Sequence, residues 1–412
     1  MRGRVTHSGS NLPRCRAIPT QFLNEPKVRS GYSARDRFTD THSATVMDLP
    51  SSLRPIFTDF LAFGARAFGG PVVQIQGLLD EFVHKRGWTD EPRFRRALGV
   101  YQVLPGPEAH EMCCYLGTVR GGRLGGIAAG LGFMLPGLVL MLAASAIYAV
   151  LDLASPPVAG AMAAMQIVAC GLIVRAVFKL VAPIWTAASD TNKMPMVVFF
   201  IASIASTYLL AGAIDGAAVG RAASEETRTA GALFGHGLVA GLVTFGGAYT
   251  ALPYVTSVAA GDGGWMTHQE CLDGIAIASV LPAPLVIFGT FVGYRGGGIG
   301  GALAFTAGIF LPAFGFTFLG FGLFERLVGW KPARRALDFL SAIAVGMIAS
   351  AAILFMIETG GGWPKRPVFF GGWTAPLIGL AIGIVFRVKH PLGTPILVIG
   401  AGAAGAIAGL LR

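Results

Sequence analysis

The sequence predicts an all-α integral membrane protein of about ten or eleven transmembrane or half-spanning helices, arranged as two homologous, inverted halves. Three observations carry that expectation. Hydrophobic residues make up 53% of the chain and charged residues 13%, against roughly 25% charged in a soluble domain; mean hydropathy is +0.63. Runs at 124–150, 194–214, 299–324 and 336–357 exceed the ~18 apolar residues that read as a membrane span. Finally, the chain states one pattern twice. Phe68-Gly69-Gly70-Pro71, Gly87-Trp88 and Leu104-Pro105-Gly106-Pro107 return as Phe245-Gly246-Gly247-Ala248, Gly264-Trp265 and Leu281-Pro282-Ala283-Pro284, each 177 positions later. Beyond the proline motifs the offset slips to 176, from Leu116-Gly117 to Val292-Gly293 and from Leu135-Pro136 to Leu311-Pro312. A period this long makes each half a domain-sized unit, and not one turn of a solenoid.

In chain order, residues 1–50 are polar, basic and rich in Ser, Thr and Arg, without the apolar stretch of a secretory signal, and read as a disordered tail. Residues 51–214 form the first half, with helices expected at 55–78, 96–118, 124–150, 157–182 and 194–214. Residues 215–229 are a charged linker. Residues 230–412 form the second half, with helices expected at 230–258, 272–294, 299–326, 336–357, 367–386 and 392–411. The segments holding the proline motifs read as re-entrant or broken. Net charge is +10, with basic clusters at Lys85, Arg86, Arg93, Arg95 and Arg96 and at Arg326, Lys331, Arg334 and Arg335. Such clusters are retained on the cytoplasmic side and set topology; they also draw anions.

The proline motifs are where the chemistry lies. A proline inside a helix removes a backbone hydrogen bond and clashes with the preceding turn, so Pro105-Gly106-Pro107 and Pro282-Ala283-Pro284 each break a helix. In a bilayer such a break survives only where protein or a polar cavity covers it. The helix that restarts afterwards offers free N–H groups and a positive dipole end, which bind anions. Gly69, Gly70, Gly246 and Gly247 either allow close helix packing or free their N–H groups for a ligand. Ionisable residues in apolar segments are the remaining candidates: Glu108, His110 and Glu111 behind the first motif, Arg175 and Lys179 one turn apart, and Asp273. Glu108 is the candidate proton acceptor. There is no G-x-x-x-x-G-K-[ST] for ATP, no cysteine spacing for a metal, and no protease or dinucleotide signature in context, so neither cofactor, enzymatic activity nor nucleic-acid partner is expected.

The runs FGGPVVQIQGLLDEFVHKRGW, YQVLPGPEAHEMCCYLG and GGIAAGLGFMLPG, with FGGAYTALPYV, GWMTHQECLDG, LPAPLVIFGTFVGY and GIFLPAF, resemble the two halves of the long-form chromate transporter family. The resemblance implies an inner-membrane exporter of chromate that confers chromate resistance and is coupled to the proton-motive force. Its matched motif positions include Gly69, Gly70, Gln102, Pro105, Gly106, Pro107 and Glu108, then Gly246, Gly247, Asp273, Pro282 and Pro284. This chain departs from it with Ala283 in place of a glycine and Ser279 in place of a glutamine. That leaves another oxyanion, such as sulfate or molybdate, as the alternative substrate. Expected partners are the anion, the lipid bilayer and a second copy of the chain as a homodimer.

Overall fold

The computed structural model describes residues 53–102, 104–187, 228–244, 251–261, 264–319, 373–388 and 392–411, with scattered positions within 197–202, 346–357 and at 390. The tail, most of the linker, the second basic cluster, the Lys179 side chain, Gly246 and Gly247 lie outside the described residues. So does nearly all of the helices expected at 194–214 and 336–357.

Every regular element described is helical: α1 (Arg54–Gly64), α2 (Pro71–Leu78) running on into a π-helical stretch (Leu79–Lys85), α3 (Glu91–Tyr101), α4 (Glu108–Val150), α5 (Pro156–Ala187), α6 (Ala230–Leu242), α7 (Ala251–Ala260), α8 (His268–Val280), a 3₁₀ turn (Leu285–Ile287), α9 (Phe288–Leu319), α10 (Thr374–Arg387) and α11 (Gly393–Leu410). Among the described residues four stretches are long and apolar enough to cross a membrane: Glu108–Val150, Pro156–Phe178, Leu285–Phe316 and Gly393–Leu410. The expected helix 55–78 is two helices. Gly69 and Gly70 sit at φ +94° and +79°, a left-handed backbone that ends one helix and starts the next at Pro71.

The longest helix is itself two. Gly121 (φ −142°, ψ 25°) and Gly122 (φ 65°, ψ −163°) leave the helical region. The chain folds back there, because Gly117 comes against Gly125, and His110 and Cys114 against Gly130. The short limb, 108–120, is about 20 Å long at 1.5 Å per residue, half to two-thirds of a ~30 Å bilayer core. The long limb, 123–150, is about 42 Å and crosses fully. On the long limb Leu124, Leu131, Leu135, Val139 and Ile147 stand exposed at helical spacing, an apolar stripe suited to lipid.

Ahead of the short limb, α3 runs antiparallel to it. Asp90 caps α3 by accepting from the Arg93 N–H at 2.7 Å, and the Tyr101 and Tyr115 rings lie 6.2 Å apart. α3 and the short limb are thus one helical hairpin with Pro105-Gly106-Pro107 at its tip.

The second half repeats this unit. Thr267 caps α8 in a full capping box with Glu270. α8 and the start of α9 form the second hairpin, tied by Trp265 Nε1 donating to Val292 O at 3.0 Å and by the Arg295–Glu270 ion pair. Pro282-Ala283-Pro284 is its tip. α9 breaks at Gly297 (φ −154°, ψ 30°) and Gly298 (φ 61°, ψ −150°), each 176 residues after its counterpart. Gly293 comes against Gly301 as Gly117 does against Gly125. Even the flanking pairs repeat: α1 packs Gly64 on Phe133, and α6 packs Gly241 on Ile309.

The long limb of α4 shows how the hairpins are oriented. It leaves the base of the first hairpin at Gly125, meets the second tip where Gly137 touches Ala283, and ends where Tyr148 packs on Phe291 with ring centroids 5.0 Å apart. The second hairpin therefore enters from the opposite end of that limb, as in an inverted pair. Around this frame α11 runs antiparallel to α5, with Gly402, Gly405 and Gly409 against Met165, Gly160 and Pro156, and α10 lies parallel to it, Gly171 against Ile382.

Candidate functional site

Each hairpin tip is seated on the other half of the molecule. Gly106 N–H donates to Thr244 O at 2.6 Å, and Thr244 is the residue directly before the Phe245-Gly246-Gly247 motif. One turn past that tip, His110 is enclosed by Phe310 and Phe314 of α9, both with ring centroids at 4.9 Å, and by Phe133 at 6.4 Å. The second tip rests on α4 through Ala283 and Gly137. Both tips lie a half-helix deep in the bundle, where proline-broken backbone is covered by protein.

At the first tip Gly106 adopts φ +145°, and Pro107 is the residue before the helix, extended at φ −77°, ψ 101°, with no side-chain cap. His110 and Glu111 N–H donate back to Pro107 O at 2.8 and 3.1 Å. Helix geometry leaves the Glu108 and Ala109 N–H groups over. Glu108 is 7% exposed, and the Gln102 side chain hydrogen-bonds it, so Gln102 and Glu108 do meet across the tip. Glu111 is fully buried. Among the described residues neither of its carboxylate oxygens has a hydrogen-bond partner, and an ideal Cβ on Gly106 would lie 2.5 Å from Oε1. The carboxylate is thus folded back under the tip. A bare buried carboxylate is costly, which marks Glu111, one of the ionisable candidates behind the first motif, as part of the site. Its sequence signal was the i,i+3 spacing from Glu108.

The second tip is built from apolar residues. Leu285, Val286 and Ile287 follow Pro284 where the acids follow Pro107, and all three are buried. Ser279, at the position of Gln102, turns its hydroxyl onto Ala276 O at 2.6 Å. Asp273 lies some two and a half turns below this tip on α8, 4% exposed. Tyr148 OH donates to one of its oxygens at 2.6 Å and Gln166 Nε2 to the other at 2.7 Å, with Gln269 Nε2 donating on to Gln166 Oε1 at 2.8 Å. Tyr148 and Gln166 are site neighbours that the sequence reading missed; their signal was being polar in otherwise apolar runs.

Arg175 sits elsewhere. Its guanidinium donates to Val385 O at 2.8 Å, satisfying a carbonyl near the end of α10. Gly70 has nothing within 4 Å of where a Cβ would be, so its glycine serves the backbone turn and not close packing. Among the described residues no Lys or Arg pairs with Glu108, Glu111 or Asp273, and no cluster could hold a metal ion.

The Chromate transporter family matches residues 54–220 and 231–409, nearly the whole of both repeats. The chain is 38% identical over 390 residues to a chromate transport protein of Pseudomonas aeruginosa, covering 86% of this chain and 92% of that one. It is 26% identical over 389 residues to a probable chromate transport protein of Synechococcus elongatus, covering 86% and 95%. A chromate transport protein of Cupriavidus metallidurans is 26% identical over 410 residues, covering 89% and 96%. No solved structure matches the chain.

Proposed function

This chain belongs to the chromate transporter family, and from that premise we propose that it exports chromate across the cytoplasmic (inner) membrane, conferring chromate resistance. The observation that carries the reading is the pair of proline-tipped hairpins, each seated on the opposite half at depth in the bundle. Helix N-termini within a membrane stabilise anionic groups without a buried Lys or Arg. Two inverted halves meeting there supply the two packings that alternating access needs.

Energetics favour export. A dianion gains ~4.6 kcal/mol on leaving an interior 100 mV negative, at ~2.3 kcal/mol per charge. That sustains an outward gradient on the order of a thousand-fold. The membrane potential, as the electrical part of the proton-motive force, is therefore the driving term. Ala283 and Ser279 at the second tip support sulfate or molybdate as the alternative cargo. The homodimer is part of the same reading.

Everted membrane vesicles test it. Uptake of radiolabelled chromate should need energisation, collapse with an uncoupler and fall at least tenfold in Pro105→Ala. Energised sulfate or molybdate uptake without chromate uptake overturns the cargo, and chromate uptake indifferent to the potential overturns the coupling.

A further inference from the structure

We infer that Asp273 is the proton site of the exchange: it takes a proton from the extracytoplasmic side and, as the halves rearrange, passes it inward in return for the departing anion. This rests on the export reading above. The observation beneath it is a buried carboxylate of the second half, held by two donors of the first half.

A proton site has to be satisfied both charged and neutral. Tyr148 OH donates to one Asp273 oxygen at 2.6 Å and Gln166 Nε2 to the other at 2.7 Å, so each oxygen of the ionised form is held, as a carboxylate inside a membrane needs. A phenol hydroxyl both donates and accepts. On protonation the new Asp273 O–H donates to the Tyr148 oxygen, while Gln166 goes on donating to the other one. Charge-assisted hydrogen bonds are about twice as strong as neutral ones. Proton binding therefore loosens the tie between α8 and the α4–α5 pair, which is the differential contact that lets a ligand shift a packing. Glu108, the acceptor expected from the sequence, is bonded by Gln102 within its own hairpin and ties nothing across the halves. Glu111 has, among the described residues, no donor to hold a charge.

Asp273 also faces the right water. Gln269, exposed at the start of α8, donates to Gln166 Oε1 at 2.8 Å. A polar run thus leads from the surface to Asp273, about 9 Å in from the Thr267 cap at 1.5 Å per residue. The base of the first hairpin carries Arg93, Arg95, Arg96, Arg120 and Arg123, which keeps it cytoplasmic. The second hairpin enters from the opposite end of the long limb of α4. There Arg295 is paired with Glu270, and stretches 151–155 and 264–267 hold no Lys or Arg, so Gln269 meets extracytoplasmic water.

Few ionisable groups face Asp273. On α8 they are Glu270 and the Cys271 thiol, with His268 at the exposed start; on α4, Tyr148; on α9, Arg295 and its neighbour Tyr294. α7 carries Tyr254, which shares a hydrogen bond with His236. On α5 the nearest cation, Arg175, lies more than two turns past Gln166 and is committed to Val385 O, and α11 has no ionisable residue. Among the described residues no Lys or Arg bonds Asp273, so an arriving proton has no fixed cation to displace.

The test is steady-state chromate accumulation in proteoliposomes of the full-length protein, with potassium equal on both sides and valinomycin holding the potential at zero. With one proton exchanged per anion, the chromate dianion should gather on the acidic side about tenfold per pH unit of imposed gradient. Asp273→Asn should hold that ratio near one, a readout that slower transport does not move. Tyr148→Phe, which strips one donor from the carboxylate, should keep the gradient response and move the pH of half-maximal flux up by about one unit. Chromate that equilibrates regardless of the pH gradient overturns the inference and leaves potential-driven export standing. So does accumulation on the alkaline side, the sign of proton and anion travelling together. An Asp273→Asn protein that still follows the pH gradient overturns it too; where that variant carries no chromate, an unchanged pH profile in Tyr148→Phe does so. No chromate uptake by the unmodified protein under any gradient brings down the export reading itself.

Discussion

The two hairpins share a backbone and differ in chemistry. Both start from a side-chain N-cap, Asp90 and Thr267, and both end at a glycine pair with almost the same dihedrals. Between those limits the first holds Gly106, Glu108, His110 and Glu111, and the second holds Ala283, Leu285, Val286 and Ile287. The scaffold is held twice by glycine contacts that admit no side chain, while the polar site is concentrated at one tip and the other tip serves as packing for α4. Duplication has kept the positioning device and let the working groups diverge.

The strongest way to break that comparison is at the hairpin bases. A Cβ on Gly117 falls onto the Gly125 carbonyl oxygen, and a Cβ on Gly293 falls onto that of Gly301. Gly117→Val and Gly293→Val should each cost about 3 kcal/mol or more, since backbone cannot yield as a flexible side chain does. The readout is the melting temperature of the purified protein in detergent. Equal losses mean that the two scaffolds are equivalent; a tolerated Gly293→Val would mean that the second hairpin is not held as the first is.

Much of this symmetry was legible in the sequence. The 177-residue offset placed both tips, and its slip to 176 now has a structural reason. In the second copy, helix entry passes through the 3₁₀ turn Leu285–Ile287. Three residues at ~2.0 Å rise advance about as far as four at ~1.5 Å, so one residue drops out without moving the hairpin. Folding back was harder to read: the helices expected at 96–118 and 124–150, and at 272–294 and 299–326, do part around Gly121-Gly122 and Gly297-Gly298, but hydropathy is blind to the direction the chain takes next. Partners far along the chain were not legible at all. Arg175 looked like a transport residue from its apolar surroundings, and only the approach of α10, 210 residues on, makes it a ligand of Val385 O.

The Asp273 cluster sharpens the comparison at intermediate cost, for it gives the second hairpin a polar centre of its own, lower down. Its two oxygens accept from donors on α4 and α5, 125 and 107 residues away. Asp273→Asn sets an amide N–H against one of those donors and should cost about 1–3 kcal/mol. Pairing it with Tyr148→Phe in a double-mutant cycle should recover part of that loss, as for residues sharing one network. Strict additivity of the two melting shifts would mean that the cluster does not join the second hairpin to α4.

The smallest expected effect lies at the outer clamps. Near the first hairpin, Arg86 bridges Asp59 at 2.6 Å and Glu81 at 3.0 Å, and Lys85 bonds Glu81 at 3.1 Å. The second hairpin instead has Arg295 on Glu270, a more enclosed pair whose carboxylate also accepts from Thr267 N–H at 2.8 Å. Hydrogen bonds from Lys85 and then Arg86 hold the Glu81 carboxyl below its ordinary value of 4.5. A lowered folded-state value means that the contribution is complete above the ordinary value and is lost as pH falls through the lowered one. The pair is solvent-accessible, so Glu81→Gln should cost under about 1 kcal/mol near neutral pH, less in high salt, and nothing once the acid is protonated. Glu270→Gln should cost more at every pH, because it also weakens the capping box of α8. Melting curves of both variants from neutral to acid pH decide it: a Glu81→Gln loss that persists in acid would show that Arg86 is held there by Asp59 and the Phe82 ring, and not by the charge on Glu81.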